Sequence, residues 1–294
     1  MAKSCVVAIT IHMTTTPTAR VSHGRHFTPG RIAIFLIIVA VMVVLDGNEK
    51  VPAGPASGTS LNGPAPANYP TGDVLKVATF NIDSGVGPSD GQLNLDRTAS
   101  AIQGFDLIGL QEVHGGAPFS DDNQAKILGE KLNMDWLFAP VERRWWRDAF
   151  GDGLLTNLPS IHWQRIPLAN SVAPSNRELL LAQLRFDGKP LNVIVTHLDN
   201  ANDHDAELGT VISLFESLQP PVIVLADLNT TRDDPQLAAL RKTPGVADPI
   251  SKICDSSNVD WILARGMTAL GEGFIDKGAS DHKLAWAQLK MDGK

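Results

Sequence analysis

Several acids, amides and histidines of this chain stand where an apolar run gives way to polar residues. Pro221-Val222-Ile223-Val224-Leu225 leads into Ala226-Asp227-Leu228-Asn229, and Leu191-Asn192-Val193-Ile194-Val195-Thr196 leads into His197. Val77-Ala78-Thr79-Phe80 leads into Asn81-Ile82-Asp83, and Asp106-Leu107-Ile108-Gly109-Leu110 into Gln111-Glu112. Near the C-terminus, Val259-Asp260-Trp261-Ile262-Leu263 is followed downstream by Ser280-Asp281-His282. The reading is that five short apolar strands each deliver a polar or ionisable residue at the C-terminal end. Burying an unpaired carboxylate costs several kcal/mol, so a repeated arrangement of this kind needs an offsetting partner. Convergence on one cleft with a divalent cation would supply it. Asp beside His, an Asp-x-Asn and further strand-end acids can hold a metal and activate water, which is hydrolytic chemistry.

Each residue taken singly has a plainer reading. Glu112 alone would be an exposed or capping glutamate. Asp227-x-Asn229 alone would be turn chemistry after a strand. Asp281-His282 could open a helix or strand, and His197 could be a satisfied core histidine. Only the ordered set favours a site.

The elements that must position these residues follow from periodicity. Strand patterns fall at 74–82, 106–113, 135–140, 152–156, 178–186, 190–198, 221–227, 259–264 and 283–290, and helical patterns at 93–103, 122–133, 203–218 and 234–242. Val222 to Ala226 and Val193 to Val195 are continuously apolar, so both faces of those strands are expected to be buried. Asp187-Gly188-Lys189-Pro190 turns a hairpin between residues 179–186 and 191–196. Many strands with a few interspersed helices predict an α/β fold of two packed sheets with helices outside.

Composition sets bounds. Two cysteines, Cys5 and Cys254, imply neither a disulfide framework nor a thiolate zinc site. Ile32 to Leu45 is 14 apolar residues without a break, preceded by Lys3, Arg20, Arg25 and Arg31 and followed by Asp46 and Glu49. Basic-then-apolar is an export or anchoring pattern. A helix of that length spans about 21 Å against a hydrocarbon core of about 30 Å, which fits a signal-peptide core better than a full span. Residues 1–46 therefore read as a signal peptide or N-terminal membrane anchor through 32–45, starting at Met1 or Met13. This places the remainder outside the cytoplasm, secreted, periplasmic or tethered. Residues 47–72, rich in Pro, Gly, Ala, Ser and Asn, read as a flexible linker. Residues 73–294 read as the domain that would carry this chemistry, with 20 Lys and Arg against 30 Asp and Glu, a net −10. No basic stripe for duplex nucleic acid is evident. Nothing in the sequence points to oligomerisation, and a monomer is expected.

Taken in order, Phe80-Asn81-Ile82-Asp83, Leu110-Gln111-Glu112-Val113, Phe150-Gly151-Asp152-Gly153-Leu154-Leu155, Thr196-His197-Leu198, Ala226-Asp227-Leu228-Asn229, Val259-Asp260-Trp261-Ile262-Leu263 and Ser280-Asp281-His282 resemble the endonuclease/exonuclease/phosphatase superfamily. The resemblance spans roughly residues 74 to 290. It implies a four-layered α/β sandwich and divalent-metal phosphoester hydrolysis, with Mg²⁺ or Mn²⁺ as the cation. It makes Glu112 the principal metal ligand, with Asn81 and Asp83 beside it and Asp281 completing the shell. Asp227 would orient and deprotonate the attacking water, and Asn229 would hold the phosphate. His282, paired with Asp260, would stabilise the phosphorane-like charge, and His197 would contact the phosphate or assist the leaving group.

Substrate signals are weaker. Glu142-Arg143-Arg144-Trp145-Trp146-Arg147 mixes cations and aromatics, and Arg144, Trp145 and Trp146 could grip phosphate and stack a ring. The same segment could equally be a loop pinned to the core by its Trp pair. Asp199, Asp203, Asp205 and Glu207 form an expected acidic rim that would repel polyanions. The favoured substrate is a phosphodiester, nucleic acid or phospholipid. A phosphomonoesterase and a non-catalytic binding module on the same fold are the alternatives.

Overall fold

The computed structural model describes residues 29–46, 56–63, 69–115, 122–142, 149–168, 177–200 and 203–293. The chain divides into two units at Val43/Val44. The described part of the first is residues 29–43 of helix α1 (Pro29–Asp46), which takes up the apolar run and leaves Phe35, Ile37 and Val43 more than 60% exposed. Among the described residues no helix is long and apolar enough to cross a membrane.

The second unit holds two mixed sheets. One has seven strands, in the order β1 (Ser57–Gly58), β6 (Ser160–Pro167), β7 (Glu178–Phe186), β8 (Lys189–His197), β9 (Val222–Asp227), β11 (Asp260–Arg265) and β10 (Val246–Ala247). The other has six, in the order β12 (Met267–Ile275), β13 (Leu284–Met291), β2 (Val74–Asn81), β3 (Leu107–His114), β5 (Phe150–Thr156) and β4 (Asp135–Glu142). Among the described residues only β8/β9 and β2/β3 pair in parallel. The predicted hairpin forms between β7 and β8, with Asp187 and Gly188 both at positive φ, as a two-residue turn of the hand that suits twisted strands requires.

Apolar residues from both sheets, Val77, Leu107, Leu154, Val193, Val195, Val224 and Ile262 among them, form one continuous core. The sheets approach so closely that a Cβ on Gly109 would stand 2.7 Å from Leu225 Cβ. Helices α4 (His204–Ser217) and α5 (Pro235–Leu240) bury Leu208, Val211, Phe215, Leu237 and Leu240 in that core. Helices α2 (Leu95–Ile102) and α3 (Gln124–Leu132) cover the six-stranded sheet, packing Ala99, Ile102, Ala125 and Leu128 against Phe80, Ile108, Leu110 and Leu155. The result is the expected α/β/β/α sandwich. The caps are conventional: Asn94, Asn123 and Asp234 each accept backbone N–H groups at a helix start.

Four strands were absent from the periodicity: the two-residue β1 and β10, and the longer β6 and β12. β1 lies within residues 47–72, read as a linker; it pairs with β6, and Leu61 beside it is buried in the core. β6 alternates but contains His162, Gln164 and Arg165 and ends at Pro167. β12 contains Gly271 and Gly273, which weaken any strand signal. Gly273 is there because the Trp286 indole lies against it; a Cβ would meet that ring at 2.7 Å.

Candidate active site

Three adjacent strands bring His197, Asp227 and Asp260 into one row. Parallel pairing of β8 with β9 sets His197 against Asp227, and antiparallel pairing of β9 with β11 sets Asp227 against Asp260. Residues opposite one another across strands share a face of the sheet. One expectation is corrected here: Asp260 is the first residue of its strand, not the last, and the antiparallel direction of β11 carries it to the same edge.

The six-stranded sheet supplies Asn81 at the end of β2 and Glu112 within β3. The β3–β5 register shifts between Leu110 and Val113, and Glu112 sits in that bulge at φ 57°. Asp83 (φ 44°) and Asn229 (φ 47°) are also left-handed. For non-glycine residues such backbone costs about 1–3 kcal/mol and persists where the surroundings over-determine it, as at functional sites.

The Asn81 amide joins the two sheets. Its Nδ2 donates to Glu112 Oε1 and to Asp227 Oδ2, both at 3.0 Å, and its Oδ1 accepts from the Asp83 N–H at 3.1 Å. Asp227, 1% exposed, also accepts from the Asn229 N–H through Oδ1 at 2.9 Å. Trp261 Nε1 donates to the Thr230 carbonyl at 2.9 Å, tying the loop after β9 to β11. His282 Nδ1 lies 2.8 Å from Asp260 Oδ2, and its Nε2 faces Asp227 Oδ2 across 3.9 Å. Asp281 accepts from the Ser280 hydroxyl at 3.2 Å.

Charge follows from these contacts. Burial opposes a proton on His282, but the hydrogen bond to Asp260 and the negative charges of Asp260, Asp227 and Asp281 outweigh it and raise the imidazole to about 9. Burial pushes the Asp260 carboxyl up to about 6 against the pull of His282. Between those values the pair is carboxylate and imidazolium, with Nε2–H directed at the cleft.

His197 differs. Burial, and then the charges of Arg177 and His282, push it well below the ordinary imidazole range. Asn229 Nδ2 donates to the Leu198 carbonyl at 2.8 Å and lies 3.1 Å from His197 Nε2. Nε2 is therefore the acceptor and Nδ1 carries the proton. A neutral, enclosed imidazole suits positioning Asn229 better than giving a proton to a leaving group.

A hard cation fits this donor set. Oxygen ligands prevail, no thiolate is near among the described residues, and Mg²⁺ needs only one or two carboxylates besides waters and substrate oxygens. Asp83 is raised by burial and next by the charge of Asp281, with His282 pulling it partly back; a cation would relieve the remaining like-charge contact. Yet among the described residues the group whose ligand atoms all lie within 4.8 Å is Asp227, Asp260 and His282, not Asp83, Glu112 and Asp281. In that group Nδ1 of His282 is already committed to Asp260.

Arg144, Trp145 and Trp146 lie outside the described residues. The acidic rim is modified: Glu207 is 1% exposed and accepts the Asp199 N–H at 2.8 Å, so it is a buried loop anchor. Sequence reasoning missed two buried acids. Asp152 is raised well above the carboxylate range by burial and then by Glu178, with smaller contributions from Asp227 and Glu112. Glu178, opening β7, is raised to about 7 by burial, and neither of its carboxyl oxygens has a hydrogen-bond partner among the described residues. The signal for Asp152 was present in Phe150-Gly151-Asp152-Gly153, an acid in a run of otherwise buried strand residues.

Solved structures share this fold. An endonuclease/exonuclease/phosphatase from Beutenbergia cavernae DSM 12333 has a TM-score of 0.62 at 20% identity, over 75% of this chain and 72% of that one. One from Bacteroides vulgatus has a TM-score of 0.61 at 18% identity, over 74% and 99%. D. rerio TDP2 complexed with single strand DNA product has a TM-score of 0.56 at 18% identity, over 75% and 100%. At such identities the likeness is one of fold. No curated protein matches the chain. The model of the Endonuclease/Exonuclease/phosphatase family matches residues 78–282, which run from β2 to the imidazole of the charged pair and take in the whole cleft. The chain therefore belongs to that family.

Proposed function

We propose that the protein is a divalent-metal phosphodiesterase. The observation that carries the reading is the Asp260–His282 pair set against Asp227, with Asn81 linking Asp227 to Glu112. Asp227 accepts a proton from water as the water oxygen bonds to phosphorus, and the ester P–O bond opposite breaks. The products are a monoester and an alcohol, whose oxygen takes a proton from solvent water as it leaves. His282 Nε2–H meets the negative charge growing on the phosphoryl oxygens, and Asp260 keeps that imidazole charged and oriented. The expected phosphate contact by Asn229 has no free donor here, because its two amide hydrogens go to the Leu198 carbonyl and His197 Nε2; Asn229 instead anchors the loop that follows Asp227. Glu112, with Asn81, Asp83 and Asp281 around it, would hold Mg²⁺ or Mn²⁺. A cation there neutralises developing charge and orients the phosphate.

The test is the purified full-length chain with bis-p-nitrophenyl phosphate, p-nitrophenyl phosphate, plasmid DNA, RNA and sphingomyelin in parallel. Diester hydrolysis should exceed monoester hydrolysis, stop in EDTA and return with Mg²⁺ or Mn²⁺. Glu112→Ala should not recover. Full turnover by Glu112→Ala in metal-free buffer would sink the reading.

Export belongs to the same proposal. Residues 1–46 deliver or tether residues 73–294 outside the cytoplasm, motivated by Arg20, Arg25 and Arg31 ahead of the apolar run Ile32 to Leu45. A reporter fused after residue 72 should be active outside the cytoplasm; activity only inside would refute the topology.

A further inference from the structure

Pairing of β2 with β3 ends at Asn81 and Gln111, so Asp83 and Glu112 both lie beyond the last rung of that ladder. Asp83, Ser84 and Glu112 are all left-handed, a conformation that persists in non-glycine residues where the surroundings over-determine it. Asn81 supplies part of that restraint from the cleft side, through Glu112 Oε1 and the Asp83 N–H. A second amide supplies it from the helix side. Gln124, 8% exposed, is the first residue of α3. Its Nε2 donates to the Ser84 carbonyl, and its Oε1 accepts the His114 N–H at 2.9 Å. Ser84 directly follows Asp83, and His114 stands two residues after Glu112.

The position asks for an amide. One side chain must meet a backbone carbonyl and a backbone N–H together. A carboxylate cannot, because it has no donor, and a lysine cannot, because it has no acceptor. With a carbonyl on one side and an N–H on the other, only one orientation of the Gln124 amide satisfies both. Gln124 in turn stands on a rigid base. Asn123 caps α3 by accepting the Lys126 N–H at 2.8 Å and bridges back to Gly115, while Ala125 and Leu128 are wholly buried. The helix therefore fixes the amide, and the amide fixes the backbone beside two of the residues assigned to the cation, Asp83 and Glu112.

We infer that Gln124 is a positioning residue for the cation, acting through the backbone of Asp83 and Glu112 and touching neither metal nor substrate. The inference rests on the metal reading of the proposed function. Its test is calorimetry of Mg²⁺ binding to the EDTA-treated, dialysed full-length chain, with thermal melts alongside. Gln124→Met keeps the length of the side chain and removes both bonds; it should weaken Mg²⁺ binding about 10–100-fold. Gln124→Asn keeps the amide but falls one methylene short of spanning the two segments. It should weaken binding in the same direction, and it serves where the Met variant does not fold. Leu128→Val trims the buried core on the same helix and should lower Tm with Mg²⁺ affinity changed less than about twofold. Unchanged affinity in a folded Gln124 variant, or an equal loss in Leu128→Val, would overturn the positioning role. A wild-type chain that binds no Mg²⁺ would sink the metal reading instead. In that event hydrogen exchange decides the brace: the Gly85, Val86 and His114 amides should exchange faster in the Gln124 variants than in wild type, and equal exchange overturns it.

Discussion

Asp260 and Glu178 are both almost fully buried carboxyls of the seven-stranded sheet, one opening β11 and the other opening β7. Burial raises both. Asp260 has the His282 ring 2.8 Å away, and through it the site keeps a cation facing the cleft. Glu178 has no hydrogen-bond partner for either oxygen among the described residues; burial raises it to about 7 against the more weakly opposing charge of Arg165, and its own charge in turn lifts Asp152. The comparison teaches that burial by itself only discourages ionisation. A positioned partner converts the same desolvation into a charged, oriented pair that can act on substrate.

Removing the partner should have the largest effect. His282→Ala is expected to lower kcat/KM by about 10²–10⁴, the usual worth of a positioned acid–base group. Asp260→Asn should lose less, and the double variant should be little worse than His282→Ala because the two act as a unit. Multiplicative losses on one diester substrate, with folding checked by thermal melts, would show that the residues work independently. Activity should also rise as pH passes about 6, where Asp260 ionises, and fall as it passes about 9, where His282 loses its proton. A profile still rising through pH 10 would contradict the charged imidazole.

A smaller loss should follow at the link between the sheets. Asn81→Ala removes the donor shared by Glu112 and Asp227. The expected cost is about 10–100-fold in kcat/KM, as for other groups that orient metal ligands. The apparent affinity for Mg²⁺ should weaken in parallel, read by titrating the cation into EDTA-treated protein. Unchanged Mg²⁺ dependence would separate Asn81 from the metal-holding residues.

The smallest effect tests Glu178 through stability. Folded Glu178 keeps its proton up to about 7, against 4.5 unfolded. The unfolded chain therefore releases that proton first, and stability falls as pH rises from 4.5 to about 7 and stays lower above it. Glu178→Gln cannot ionise. It should be near-neutral at pH 4 and stabilising by about 1–2 kcal/mol at pH 8, a Tm gain of about 2–8 °C. Melts across that range that show the same slope in wild type and variant would remove Glu178 as its source.

Much of this molecule was readable along the chain. The alternating and continuous apolar runs placed β2 to β5, β7 to β9, β11 and β13, because burial of one or both strand faces leaves a local imprint. The Asp187-Gly188 turn fixed the β7–β8 register for the same reason. β6 and β12 left no imprint: one carries polar side chains, and the other replaces side chains with glycine so that Trp286 can lie against it. The candidate site was legible in its residue types and order.

What sequence alone determined, then, was most of the longer strands, the layered class of the fold and the identity of the residues delivered to strand ends. Tertiary structure decided how they meet. It carried Asp260 to the cleft by running β11 antiparallel, placed Glu112 in a bulge, and gave His282 its carboxylate while leaving Glu178 without a hydrogen bond among the described residues. It also turned Glu207 from a rim acid into a buried anchor. The physical reason is range. Periodicity and turn preference act over a few residues and are written in sequence. Desolvation and charge pairing act through space, between groups such as Asn81, Glu112 and Asp227 that only the folded chain brings together.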